Sequence, residues 1–280
     1  MRRIIAGLAA GLVVLAPLPA QAAAPDPAKK PAAVKTPVKK FDPVKALRAQ
    51  VVPGRGVNVS VVTRMLSDGK QFATFRTSRV VGFRKGGQVD TDDSTTVYSP
   101  LAIDPHDPEL RFPTLLIKAK GVSYTSGGAL IGSLPLDKKW VRDRGYQPTP
   151  ADLMVDLFRP GTLRALLATA SSTGPHSAKG TIDSSKIFGS RSGGRGEKVS
   201  WALWFDAKGR VARLTTRFST RITRDFRLGL STEARFTGWG ARVTVEPPPA
   251  DLVIERGDLP ELELSDESPM RLIDALPNGH

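Results

Sequence analysis

Val199-Ser200-Trp201-Ala202-Leu203-Trp204-Phe205-Asp206-Ala207-Lys208-Gly209-Arg210-Val211-Ala212-Arg213-Leu214-Thr215-Thr216-Arg217-Phe218-Ser219-Thr220-Arg221-Ile222 reads as two strands folded about a turn. Asp206-Ala207-Lys208-Gly209 supplies the turn chemistry, an Asp to bond the backbone and a Gly to take a left-handed conformation. On the return strand Leu214, Phe218 and Ile222 fall on one face with Thr216 and Thr220. Arg213, Arg217 and Arg221 fall on the other with Thr215 and Ser219, because successive side chains of a strand point to opposite sides. One face is therefore predicted to be buried and the other to meet water. Downstream, Arg235-Phe236-Thr237-Gly238-Trp239-Gly240 is expected to feed Ala241, Val243 and Val245 into a further strand. Pro247-Pro248-Pro249 then ends the ladder by removing three backbone donors.

Upstream the same two-residue period returns. Val57, Val59 and Val61 alternate, Ser67-Asp68-Gly69-Lys70 has the form of a hairpin turn, and Phe72 to Val81 runs back. Leu115-Leu116-Ile117, Gly121-Val122-Ser123-Tyr124, Gly127-Gly128 and Leu134-Pro135 extend this meander to Lys138-Lys139-Trp140-Val141-Arg142. Helices interrupt the strands. Asp42 can cap a short one with Pro43 in its first turn and Val44, Leu47 and Val51 at helical spacing. A second is expected from Thr149-Pro150 with Leu153 and Leu157 on one stripe. A third, after Arg159-Pro160-Gly161, has Leu163, Leu166, Leu167 and Ala170 on one face. Strands, helices, then strands with short connections predict an α+β fold with helices on one face of an antiparallel sheet.

Composition narrows the chemistry. The 280 residues hold 41 Lys+Arg and 27 Asp+Glu, a net charge of +14, with three His and no Cys. No disulfide, thiol nucleophile, Cys-ligated metal or lipidated cysteine is possible. Met1-Arg2-Arg3, the apolar run Ile4 to Ala16 and Ala20-Gln21-Ala22 have the form of a cleavable secretory signal over residues 1–22, with export to the extracytoplasmic side as its consequence. Residues 23–40, with four Pro and five Lys, read as an extended cationic linker. A folded domain is assigned to 41–250 and an acidic, disordered tail to 251–280, where eight acids face two Arg.

Letter-level motifs do not add up to catalysis. Asp104-Pro105-His106-Asp107-Pro108 has no third strong ligand in view. Asp90-Thr91-Asp92-Asp93 lacks the Gly and Glu of a calcium loop and reads as a solvated turn. Ser67-x-x-Lys70 sits on a predicted hairpin turn, and GSRSGGRGEK at 189–198 lacks the phosphate-loop Lys and the helix after it. His176 follows Gly174-Pro175 in a turn and has no evident serine and acid partners. No metal, cofactor or catalytic residue is assigned. The arginine row reads either as a solvated strand face with edge protection or as a recognition surface for anions. Nucleic acid is set aside as its partner, since the aromatics are not interleaved with the arginines.

Three stretches in order, Leu130-Ile131-Gly132-Ser133-Leu134-Pro135-Leu136-Asp137-Lys138-Lys139-Trp140-Val141-Arg142, Pro160-Gly161-Thr162-Leu163-Arg164-Ala165-Leu166-Leu167, and Val199 to Val211 running on to Gly238-Trp239-Gly240, resemble actinobacterial envelope proteins of the LppX/LprG type, related to the LolA lipoprotein carrier. The resemblance spans about residues 42–250. It implies a curved antiparallel half-barrel whose helix-closed side holds acyl chains in an apolar cavity, without catalysis or cofactor. Many such relatives carry a lipobox cysteine, which this chain lacks. On this reading Trp201, Leu203, Leu214, Phe218, Ile222, Val243 and Val245 are the expected cavity wall. Arg213, Arg217 and Arg221 are the expected contacts to an anionic head group or surface. The expectation is a secreted, monomeric, non-enzymatic binder of a lipid or other amphiphile. Its alternative is a basic protein with a filled core that associates with anionic cell-wall polymers.

Overall fold

The computed structural model describes residues 42–85, 88–100, 112–144, 155–188, 197–221, 223 and 226–259. Among these, twelve strands form one sheet: β1 (Arg55–Ser67), β2 (Lys70–Phe83), β3 (Val89–Pro100), β4 (Thr114–Ala119), β5 (Val122–Ser126), β6 (Trp140–Asp143), β7 (Ala170–Gly174), β8 (Ser177–Asp183), β9 (Lys198–Phe205), β10 (Val211–Arg221), β11 (Arg227–Arg242) and β12 (Val253–Glu255). Their order across the sheet is β12-β6-β5-β4-β3-β2-β1-β11-β10-β9-β8-β7, with β12 and β7 as free edges, so the sheet is open rather than closed into a barrel. Every pairing is antiparallel except β12 with β6. This is the α+β architecture expected from the sequence, a half-barrel sheet with few helices.

Turn chemistry sets the registers. Asp68 and Gly69 both have positive φ (48° and 85°), as do Lys120 and Gly121 (53° and 77°), which gives two tight hairpins whose twist matches their strands. At the β9–β10 turn the Asp206 carboxylate accepts the N–H groups of Lys208 and Arg210 at 2.9 Å each.

α1 (Pro43–Gln50) and α2 (Pro160–Ala168) pack against each other and against one face of the sheet, here termed the inner face. Asp42 caps α1 by accepting from the N–H groups of Val44 and Lys45, and Leu47 is the residue α1 buries. Leu163 and Leu166 of α2 are fully buried. Ala170 lies beyond the helix and begins β7.

Several expectations change. The helix expected from Thr149 falls largely outside the described residues. Where the chain resumes, Val155 to Arg159 forms a bend and turn in which the Asp156 carboxylate accepts the Phe158 N–H, so Leu157 is buried from a turn. Gly128–Ser133 is a 3₁₀ helix rather than strand. Asp90 to Asp93 is not a solvated turn but part of β3, and Asp92 is buried against Arg79. Residues 251–259, assigned from composition to the tail, continue the fold: β12 pairs with β6, the Glu255 carboxylate binds Arg142, and Arg256 binds Asp143 at 2.6 Å. The apolar pair Val253-Ile254 suffices for an edge strand once its acidic and basic neighbours find opposite charges on β6. The proposed signal, the linker and residues 260–280 lie outside the described residues.

Candidate ligand-binding face

The inner face is divided into zones. Its larger apolar cluster gathers Leu47 of α1, Leu163 and Leu166 of α2, Phe158 of the preceding turn, and inward side chains of β1, β2 and β8–β11. Phe236 and Trp239 stack with ring centroids 5.9 Å apart, and Phe158 meets Phe236 edge-on at 6.3 Å. Phe236 and Trp239 are three apart on one strand, a spacing that would ordinarily oppose them. The register shift in β11 opposite Gly56 and Asn58, with Gly238 and Gly240 at φ 64° and 82°, turns Trp239 inward. Its indole N–H then donates to the Val211 carbonyl at 2.7 Å.

A second, smaller apolar cluster lies farther along the strands, where Met65, Ala73 and Leu228 are buried and Phe72, Phe75, Tyr98, Phe226 and Leu230 pack around them. The two clusters meet at Leu230, which packs against both and pairs with Phe218 and Met65, and a polar row crosses the inner face one step away. Strand register aligns Trp201, Thr216, Thr232, Thr63, Phe75 and Tyr98 in one row across six strands. The three threonines are buried, Thr63 and Thr232 share a hydroxyl hydrogen bond of 3.0 Å, and Phe75 stacks on Tyr98 at 4.6 Å. One row nearer the larger cluster on β2, Thr77 and Thr96 share a hydroxyl bond of 2.9 Å, and beyond them Arg79 and Asp92 form a buried ion pair. At the other end the indole N–H of Trp201 is buried without a hydrogen-bond partner. A buried N–H so placed is costly unless something accepts from it.

Of the residues expected in a cavity wall, Trp201, Leu203, Leu214 and Phe218 come together in the larger inner cluster. Val243 and Val245 do not: β11 ends at Arg242, and both are half-buried beyond it. Val243 lies over the outward side of Gly56 and Gly82, where a methyl group on Gly56 would approach its Cγ2 to 2.5 Å. Ile222 lies outside the described residues. The sequence pattern could not place Val243, because the β11 irregularity breaks the alternation on which such a placement depends.

Arg213, Arg217 and Arg221 are on the outer face, so a head group lying in the inner cluster would not meet them. Arg213 is engaged there. Its guanidinium lies 4.7 Å from the Trp204 ring centroid and donates to Glu233 at 2.9 Å, and Arg235 binds the other Glu233 oxygen at the same distance. Burial alone would raise the Glu233 carboxyl, but hydrogen bonds from Arg235 and Arg213 outweigh it and hold the group below its ordinary value. Asp206 is lowered in the same way, the bonds from Arg210 and Lys208 prevailing over burial.

No protein-family model matches the sequence, and no curated protein matches it. Among solved structures the chain is similar to a LolA superfamily protein from Nitrosomonas europaea, 11% identical over 73% of this chain and 96% of that one, at a TM-score of 0.30. It is also similar to MucB in complex with MucA(peri), 10% identical over 75% and 99%, at a TM-score of 0.10. Similarity at this level adds nothing to the strand order itself.

Among the described residues no helix is long and apolar enough to cross a membrane, and no three His, Cys, Asp or Glu side chains gather as a metal site would require. The His176 carbonyl accepts the Phe205 N–H in a hairpin connection.

Proposed function

We propose that this protein is an exported, non-catalytic binder of a lipid or other amphiphile, acting as a carrier or by sequestration. The observation behind this reading is the make-up of the inner face: an apolar cluster under two short helices, crossed by a buried hydroxyl row that ends at an unpartnered indole N–H. An amphiphile has the matching division. Its hydrocarbon would lie among Trp201, Leu203, Leu214 and Phe218, and its ester, amide or hydroxyl linkage would lie along Thr216, Thr232 and Thr63 with the Trp201 N–H as donor. The resemblance of the sequence to LppX/LprG-type envelope proteins supports the same reading, and the N-terminal pattern supports export.

The test is displacement of a fluorescent fatty-acid probe from the purified secreted protein. Trp201→Phe, which keeps an aromatic ring and removes the indole N–H, is expected to weaken binding of an ester-linked lipid about 3- to 10-fold, the scale of one buried hydrogen bond. It is expected to leave a simple alkane-chain probe nearly unaffected. Equal loss for both probes, or no probe binding by the unaltered protein, contradicts the proposal.

A further inference from the structure

The connection between β5 and β6 has the composition of a core segment. Gly127-Gly128-Ala129-Leu130-Ile131-Gly132-Ser133-Leu134-Pro135-Leu136 holds no charged residue, and Asp137-Lys138-Lys139-Trp140 follows at once. Connections that face water are ordinarily polar. Leu136 is nevertheless wholly exposed, the most exposed large apolar side chain among the described residues, and Ile131 is 42% exposed. Phe112, just before β4, is 48% exposed. β4 and β5 pair antiparallel with Leu115 opposite Ser126, so Phe112 and the connection lie at the same end of the sheet.

Backbone contacts fix the connection. Gly127 and Gly128, at φ 76° and 54°, press against the residues that follow Phe112. A Cβ on Gly127 would overlap the Pro113 carbonyl oxygen, and one on Gly128 would lie 2.5 Å from Thr114 Oγ1. The chain then passes through the 3₁₀ helix Gly128–Ser133. In the turn that follows, the Lys138 N–H donates to the Pro135 carbonyl at 2.9 Å, with Leu136 inside the turn. The base of the turn is tied to the segment before β12: the Lys139 N–H donates to the Leu252 carbonyl at 2.9 Å and Lys138 Nζ to that of Asp251 at 2.8 Å.

We infer that this end of the sheet inserts into the interfacial layer of a phospholipid bilayer. Leu136, Ile131 and Phe112 reach the hydrocarbon, and Lys139 and Trp140 lie at the level of the head groups. Burial of the three apolar side chains is favourable wherever hydrocarbon receives them. A bilayer receives separate projecting side chains without a preformed pocket for each, whereas a folded partner must match the shape of the tip. The residue types at the base are those that favour a membrane interface. Lys139 is exposed with no acidic partner among the described residues and can reach lipid phosphate, and Trp140 is half-buried with an amphipathic ring. The inner face plays no part in this contact, so the inference is independent of the amphiphile reading.

The test is flotation of the full secreted chain with vesicles of phosphatidylcholine and phosphatidylglycerol. Partition onto the vesicles is expected. Leu136→Asp, at a wholly exposed position, should weaken it about tenfold or more with an unchanged circular dichroism spectrum. Leu136→Trp should partition at least as well, and its added fluorescence should shift to the blue and be quenched by lipids brominated in the acyl chain. Lys139→Glu should weaken binding to these vesicles more than binding to phosphatidylcholine alone. Partition unchanged in Leu136→Asp, or no acyl-chain quenching in Leu136→Trp, overturns the inference. Partition that is lost in high salt and indifferent to Leu136→Asp overturns it in favour of an electrostatic contact elsewhere on the protein. No partition by the unaltered protein overturns it in favour of a protein partner for the tip.

Discussion

Gly180 of β8 sits where three elements meet. A Cβ there would collide with the carbonyl oxygen of Thr169 at the end of α2 and lie 2.8 Å from Cζ2 of Trp201. The missing side chain therefore lets the end of α2 and the Trp201 indole both come close to β8. Gly180→Val is expected to cost about 1–3 kcal/mol, read as a lower midpoint in urea denaturation with unchanged slope. Asp206 and Glu233 make a different contribution. Their ordinary values are 3.8 and 4.5, and the fold lowers both. The stability they add is therefore complete above those values and is lost as pH falls through the lower folded ones. Urea midpoints measured downward from pH 5 should fall on the acid limb, and Glu233→Gln should flatten part of that fall. An equally steep limb in the variant contradicts the assignment to Glu233. Both carboxylates are partly solvated, so the effect of each is small beside that of the core.

At the scale of elements, legibility followed local chemistry. Asp42-Pro43 announced α1, Asp68-Gly69 and Asp206 to Gly209 announced hairpins, and the alternation from Val211 to Arg221 gave β10 its faces. These signals are confined to a few adjacent residues, which is why they survive without knowledge of the partners. β3 was hidden because its inward residues are polar. Asp92 and Ser94 are buried in company with Arg79, which lies on another strand, and no pattern within residues 89–100 reports that partner. The hydroxyl row was hidden for the same reason: Thr63, Thr216 and Thr232 become neighbours only through register. β12 was hidden by an acidic context that β6 neutralises. Lys139 N–H donates to the Leu252 carbonyl and Lys138 Nζ to that of Asp251, so the segment is tied to β6 along its length. Ending the chain after Pro249 should lower stability by about 1–3 kcal/mol and expose the β6 edge. A lower thermal midpoint with concentration-dependent association in sedimentation is the expected result, and a monomer of unchanged midpoint contradicts it.

For the molecule as a whole, one open sheet separates two chemistries. The inner face pairs hydrocarbon packing with a buried hydroxyl row, and the outer face carries guanidiniums and hydroxyls. Alternation along each strand makes this separation possible, because a single residue step moves a side chain from one environment to the other. Occupancy of the inner face by an amphiphile is tested most directly by native mass spectrometry of the secreted protein with organic extraction. The expected result is a stoichiometric bound lipid that is lost or reduced in Phe218→Trp, which adds bulk to the apolar cluster, while the variant stays folded. A protein that carries no lipid from a lipid-rich host under gentle ionisation, or a lipid equally retained by Phe218→Trp, would contradict it.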